Sequence, residues 1–110
     1  MRIIFDENKN KKLLKKRGVN FKTVIDKMAN GEIALDFEHP NHYKYPNQRI
    51  MVILINDYTY CVPYVQTENE IFLKTVYPDR RFKKIIGDRI KYEYEESKDL
   101  FKKDFTKQDA

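Results

Sequence analysis

The stretch "VYPDRRFKK", residues 76–84, sets an aromatic strand end directly against four cations in five positions. Arg80 and Arg81 are the side chains best suited to a phosphate. A guanidinium fork donates two parallel hydrogen bonds to two oxygens of one anion, and an ammonium cannot. Asp79 is a good helix N-cap, so the pattern predicts both arginines at a helix N-terminus, where unpaired N–H groups also favour anions. The plainer alternative is a solvated helix start. Tyr77 adds a ring able to stack on a planar ligand or donate a proton. Lys74 lies between apolar neighbours on the same segment, where an ammonium must either snorkel to water or point into a cleft. His39 and His42 sit in the polar stretch "EHPNHYKYPNQ" and are the two side chains whose ordinary titration range spans neutrality, which suits an acid or a base. Lys83, Lys84 and Arg17 complete the set of candidate anion contacts.

Other chemistries have no motif here. There is no Gly-rich phosphate loop, and two histidines with one cysteine at no close spacing do not form a zinc site. Scattered acids such as Asp36 and Glu38, one strand step apart, could hold a divalent ion, but alternating acids on a surface strand are common, and no metal or other cofactor is expected. Cys61 alone forms no intramolecular disulfide and reads as a small buried hydrophobe. With 22 Lys and Arg against 17 Asp and Glu, the net charge of +5 favours a polyanion or an acidic protein as partner. No apolar run approaches the ~20 residues that cross a bilayer, and the opening "MRIIFDENK" lacks the apolar core of a secretory leader. These features predict a cytoplasmic protein with no membrane contact.

The elements that position these residues follow from periodicity. Asp6 caps a first, lysine-laden helix anchored by Leu13 and Leu14 and ended at Gly18. Asn20 caps a second helix in which Phe21, Val24, Ile25 and Met28 form one apolar stripe. Asn30-Gly31 stops it, and Ile33 to Phe37 alternates as a short strand. "RIMVILIN", "YTYCVPYVQ" and "EIFLKTVYP" then read as three strands joined by a two-residue hairpin at Asn56-Asp57 and a longer one over residues 67–70. Pro63 removes a ladder donor, which predicts a bulge or an edge at that point. In the last of these strands strict alternation puts Ile71, Leu73, Thr75 and Tyr77 on one face and Phe72, Lys74 and Val76 on the other. A final helix starts at Asp79 and is interrupted at Gly87. The expectation is an α+β fold, with two N-terminal helices, an antiparallel meander of three to four strands and a C-terminal helix, in one domain over residues 1–97 with a polar tail over 98–110.

Phe5-Asp6-Glu7, Lys9, Leu14, Lys16, Gly18-Val19 and Phe21, followed later by "EIFLKTVYP" running into Arg80-Arg81, resemble the pattern of BrnT-type toxins. The resemblance spans roughly residues 3–86. It implies a RelE-like ribonuclease, the toxin of a bacterial type II toxin-antitoxin pair, held inactive by a ribbon-helix-helix (BrnA-like) antitoxin. It also implies metal-independent cleavage of RNA and inhibition of translation. Such cleavage needs a base for the 2′-hydroxyl, cations at the phosphate and an acid for the leaving oxygen. Arg80, Arg81, Lys74, Tyr77, His39 and His42 are then the catalytic candidates, and Lys83, Lys84 and Arg17 the RNA contacts. The chain departs from the family at Arg17, where a His is usual, at Leu13 in place of an Asn, and at Pro78-Asp79 in place of Ser-Ala. The alternative is a basic module that binds RNA or an acidic protein without chemistry.

Overall fold

A computed structural model of the protein describes residues 1–86. Residues 1–80 form one compact unit, and the described residues 81–86 belong to a second. The first unit runs β1 (Arg2–Ile4), α1 (Glu7–Arg17), α2 (Phe21–Ala29), β2 (Ile33–Glu38), β3 (Gln48–Ile55), β4 (Tyr58–Gln66), β5 (Glu70–Leu73) and β6 (Tyr77–Pro78). In the second unit residues 81–86 are helical. The C-terminal tail and the predicted break at Gly87 lie outside the described residues.

Both N-terminal helices begin where the capping residues predict. The Asp6 carboxylate accepts from Lys9 N at 2.9 Å, and Asn20 Oδ1 accepts from Thr23 N at 2.9 Å. Gly18 closes α1 in the left-handed conformation, φ 68°, with its N–H on the Leu14 carbonyl. Asn10 of α1 also receives the Phe21 N–H at 2.7 Å, so one helix satisfies a free donor at the start of the next. α2 buries its stripe: Phe21 and Val24 are fully buried, with Ile25 and Met28 packed at the margin of the same cluster. α1 contributes only Leu13 to the core. Leu14, expected to share that role, is 53% exposed.

The sheet is mixed and six-stranded, in the order β1-β5-β4-β3-β2, with β6 also on β4. This corrects the expectation of an antiparallel meander of three to four strands. β1 lies parallel to β5, with Ile3 beside Ile71. Three residues are too few to show an alternation in sequence, and a parallel partner some 70 residues away leaves no local turn signal. The meander itself is present as β3, β4 and β5, and β2 extends it antiparallel to β3. Asn56 and Asp57 both take positive φ, 51° and 66°, the mirror-image turn that matches strand twist.

Pro63 decides the geometry of the last strands. Tyr64 pairs with Leu73, yet Cys61 pairs with Tyr77, so Val62 and Pro63 of β4 face three residues, 74–76. The extra residue is a β-bulge. A strand residue directs its N–H and C=O to the same side. The Pro63 carbonyl accepts from Lys74 N at 2.8 Å, so the missing Pro63 donor lies on this same edge. The bulge shifts the alternation by one: Leu73 and Val76 are both fully buried in one core, whereas strict alternation had placed them on opposite faces.

Truncating Phe21 to Ala removes the largest fully buried side chain of the core. The expected loss is about 3–5 kcal/mol in urea unfolding. Leu14→Ala, on the exposed face of α1, is expected to change stability by less than about 0.5 kcal/mol.

Candidate functional site

Two regions of the first unit bring chemistry-bearing side chains together, and they stand at opposite ends of the sheet. One is the strand end after the bulge. The other is the loop between β2 and β3.

At the strand end, the bulge takes the Val76 carbonyl out of the ladder, and Arg17 Nη1 donates to it at 2.6 Å. A side chain 59 residues earlier thereby fastens the last turn of α1 to the segment leading to Tyr77. That turn carries Lys15, Lys16 and Arg17, and the whole helix holds six cations against Glu7. Tyr77 pairs with Cys61 and lies on the face of the sheet opposite α1 and α2. Pairing with β4 continues past β6. Asp79 N donates to the Thr59 carbonyl at 3.0 Å, and the fully buried Thr59 hydroxyl donates to the Asp79 carbonyl at 2.6 Å. The Cys61 thiol lies 4.0 Å from Asp79 Oδ2. Arg80 follows this anchored residue and is exposed.

Arg81, Lys83 and Lys84 are exposed on the helical residues 81–86 of the second unit. Lys74 is exposed at the bulge, its ammonium 5.0 Å from the centroid of the Phe72 ring. It resolves the cost of an ammonium among apolar neighbours by a surface cation–π contact rather than by entering a cleft.

His39 and His42 are not at this end. Both follow Glu38, which pairs with Arg49, itself opposite Tyr64. Pro78 pairs with Tyr60, four residues along β4 and three strands across from β2. At strand rise and spacing the separation is roughly 20 Å. The structure therefore brings Arg17, Tyr77 and Arg80 to one segment and leaves the two histidines elsewhere.

The histidine loop is held by its own hydrogen bonds. His39 N donates to the Gln48 carbonyl at 3.0 Å, Tyr45 N to the Asn41 carbonyl at 3.0 Å, and Lys44 N to Asn41 Oδ1 at 3.2 Å. His39 Nδ1 accepts from Asn41 N, and its ring packs on Tyr45 with centroids 4.5 Å apart. His42 instead stacks on Tyr43, which is 92% exposed. Below the loop an open groove of about 400 Å³ is lined by Glu38, His42, Asn47, Gln48, Arg49 and Gln66, with Pro46 at its rim.

Arg49 is oriented from behind. Its Nε donates to Asp36 Oδ1 at 3.1 Å, and the Tyr64 hydroxyl donates to the same carboxylate, 2.7 and 2.8 Å from its two oxygens. Asp36, a candidate divalent-ion ligand with Glu38 on the sequence alone, is occupied by this cation and phenol. Burial, and then the hydrogen bond to Asp36, push the Tyr64 phenol up from an ordinary 10.0 to about 12. Arg49, Tyr64 and Gln66 were not site candidates from sequence, and Asp36 was one only as a divalent-ion ligand with Glu38. The available signal was the Asn56-Asp57 turn, which fixes Arg49 opposite Tyr64.

Comparison of the chain with protein-family models, with curated proteins and with solved structures finds no match. No helix among the described residues is long and apolar enough to cross a membrane.

Two measurements check these assignments. Arg17→Met leaves the Val76 carbonyl without its charged donor and is expected to cost about 1.5–3 kcal/mol, whereas Lys16→Met on the same turn costs less than about 0.5 kcal/mol. For Tyr64 the folded state holds the proton more tightly than the unfolded chain. Its contribution to stability is fully present below pH 10 and is lost as the pH rises through about 12. The stability difference between the parent and Tyr64→Phe, followed by urea unfolding, is therefore expected to be constant up to pH 10 and to shrink above it.

Proposed function

We propose that this chain is a metal-independent endoribonuclease of the BrnT type with a RelE-like fold, the toxin of a type II pair, inhibiting translation in the cytoplasm until a ribbon-helix-helix antitoxin covers it. The observation that carries the reading is the Arg17 to Val76 hydrogen bond. It fastens α1, with its six cations, to the strand that ends in Tyr77 and Arg80, so that two sources of positive charge flank one segment. A phosphodiester held there meets the Arg80 fork and the field of Lys15, Lys16 and Arg17. Arg81, Lys83 and Lys84 follow directly in the chain and extend the basic run. Cations of this kind stabilise the charge that develops on a phosphate under attack by the neighbouring 2′-hydroxyl. Tyr77 is the proton donor or stacking ring nearest in sequence to the arginines.

A second reading, a basic module that binds RNA or an acidic protein without cleaving, draws on a specific observation. Arg17 stands where the resembling family has a His, and here its guanidinium is engaged by a backbone carbonyl. Arginine stays charged at all relevant pH and does not exchange a proton. With His39 and His42 at the other end of the sheet, the strand end has charge in place but no imidazole beside it among the described residues.

Expression of the chain alone in a bacterium separates the two. The ribonuclease reading expects growth arrest with loss of RNA integrity, relieved by co-expression of the antitoxin. Arg80→Ala combined with Arg81→Ala is expected to abolish arrest and to lower RNA cleavage about 10²- to 10³-fold, with the melting temperature unchanged. Soluble, folded protein with normal growth and intact RNA leaves the binding module as the function.

A further inference from the structure

The groove under the histidine loop is not used by this reading, and its lining has a distinct chemistry. Glu38, Asn47, Gln48, Arg49 and Gln66 are all planar side chains with two polar atoms or more at their ends. Arg49 is already paired with Asp36, so Glu38 adds a second carboxylate beside one guanidinium and the lining has no excess positive charge to attract an anion. A carboxylate in the wall opposes a phosphate. The set is matched to a neutral, flat ligand that carries its own donors and acceptors. That is a nucleobase edge: Arg pairs with guanine, Asn and Gln with adenine, and Glu with the cytosine amino group.

The surroundings agree with this match. A volume of about 400 Å³ falls within the range of about 300–1,000 Å³ typical of small-ligand sites. Beside the groove the His42 and Tyr43 rings stack with centroids 5.0 Å apart at 28°, and Tyr43 is 92% exposed, leaving an aromatic face open to a further ring. The site is also set in advance. Arg49 is held by Asp36, which is held by Tyr64, and the loop is tied across its base by the His39 to Gln48 hydrogen bond. A preformed lining loses little freedom on binding. Among the described residues the Gln66 side chain makes a contact from its Nε2 to the Met1 sulfur at 3.8 Å, which leaves its amide oxygen for a ligand.

We propose that the groove formed by Glu38, His42, Asn47, Gln48, Arg49 and Gln66 is a nucleobase-recognition subsite, in which an unstacked base adds to the open face of the His42–Tyr43 ring stack and its edge is read by the amides and Arg49. This deepens the ribonuclease reading, on which the identification of the base as part of an RNA strand rests. On that reading the subsite lies roughly 20 Å from the strand end and binds a base several nucleotides from the phosphate under attack.

The test is titration of the full chain with 2′-O-methyl RNA hexamers of differing sequence, which bind but are not cleaved through the 2′-hydroxyl, and with the four nucleoside 5′-monophosphates. Affinity is read by calorimetry and the site by amide NMR shifts. Saturable shifts at His42, Asn47 and Gln66, a preference among bases, and a loss of about 10- to 100-fold in hexamer affinity for both Tyr43→Ala and Gln66→Ala support the proposal. Both residues are exposed, so both variants are expected to fold, and Lys22→Ala on α2 serves as the control with unchanged affinity. If a mononucleotide binds as tightly as the hexamer at the same residues, the site still reads a base and its source is a free nucleotide. Unchanged hexamer affinity in both variants, or shifts confined to the strand end, overturns the proposal. The ribonuclease reading is scored separately by cleavage of unmodified RNA: base binding without cleavage removes that reading and keeps the subsite, whereas cleavage with unaltered base preference in both variants does the reverse.

Discussion

A proline in the middle of a central strand is the constraint on which the rest of this sheet depends. Pro63 offers no N–H to the edge of β4, and the neighbouring chain answers by inserting one extra residue over 74–76. Three consequences follow from that single missing donor. Leu73 and Val76 both enter the core, Tyr77 turns to the opposite face, and the Val76 carbonyl is released to receive Arg17. A valine at position 63 would restore the donor and remove the reason for the bulge. Local backbone chemistry at one residue thus sets which side chains are core and which are surface for the whole segment up to Arg80.

The charge distribution follows from how little of α1 is needed for packing. Only Leu13 of its eleven residues is buried, so nearly every other position is free to be cationic. Such a helix is not stabilised by an apolar face. It holds through its caps, through Glu7 and the basic last turn placed to suit the helix dipole, and through Asn10 and Arg17, which bond to α2 and to Val76. Polar ties have replaced burial, and that leaves an exposed row of lysines suited to the polyanion partner proposed above. At the other end of the sheet Arg49 is paired with Asp36 and the Tyr43 ring is exposed.

Much of this was legible in the sequence because it is local. Asn20 and the spacing of Phe21, Val24, Ile25 and Met28 define α2, Asn56-Asp57 defines its hairpin, and Pro63 announces a bulge or an edge. What was not legible depends on distance along the chain. β1 is three residues long and pairs with a strand near residue 71, so neither its length nor its partner leaves a pattern. The burial of Val76 requires knowing on which strand the extra residue falls, and Pro63 alone does not say. Arg17 reads as one more cation in a basic helix until its carbonyl partner is in place. The separation of His39 and His42 from Arg80 follows from strand order, which a run of similar β segments does not reveal.

The parallel pairing of β1 with β5 bears on how the chain reaches this state. Arg2 and Ile4 leave the ribosome well before their partners Glu70 and Phe72, which come nearly seventy residues later. The hairpins of β2, β3 and β4 are close in sequence and can form early, while the edge strand must wait for a contact of high sequence separation, whose loop-closure cost slows it. Val76, the acceptor for Arg17, arrives later still. The segment that carries Tyr77 and Arg80 is therefore among the last parts of the first unit to be assembled during synthesis, and a nascent chain that stops short of it has its helices and hairpins but no completed basic strand end.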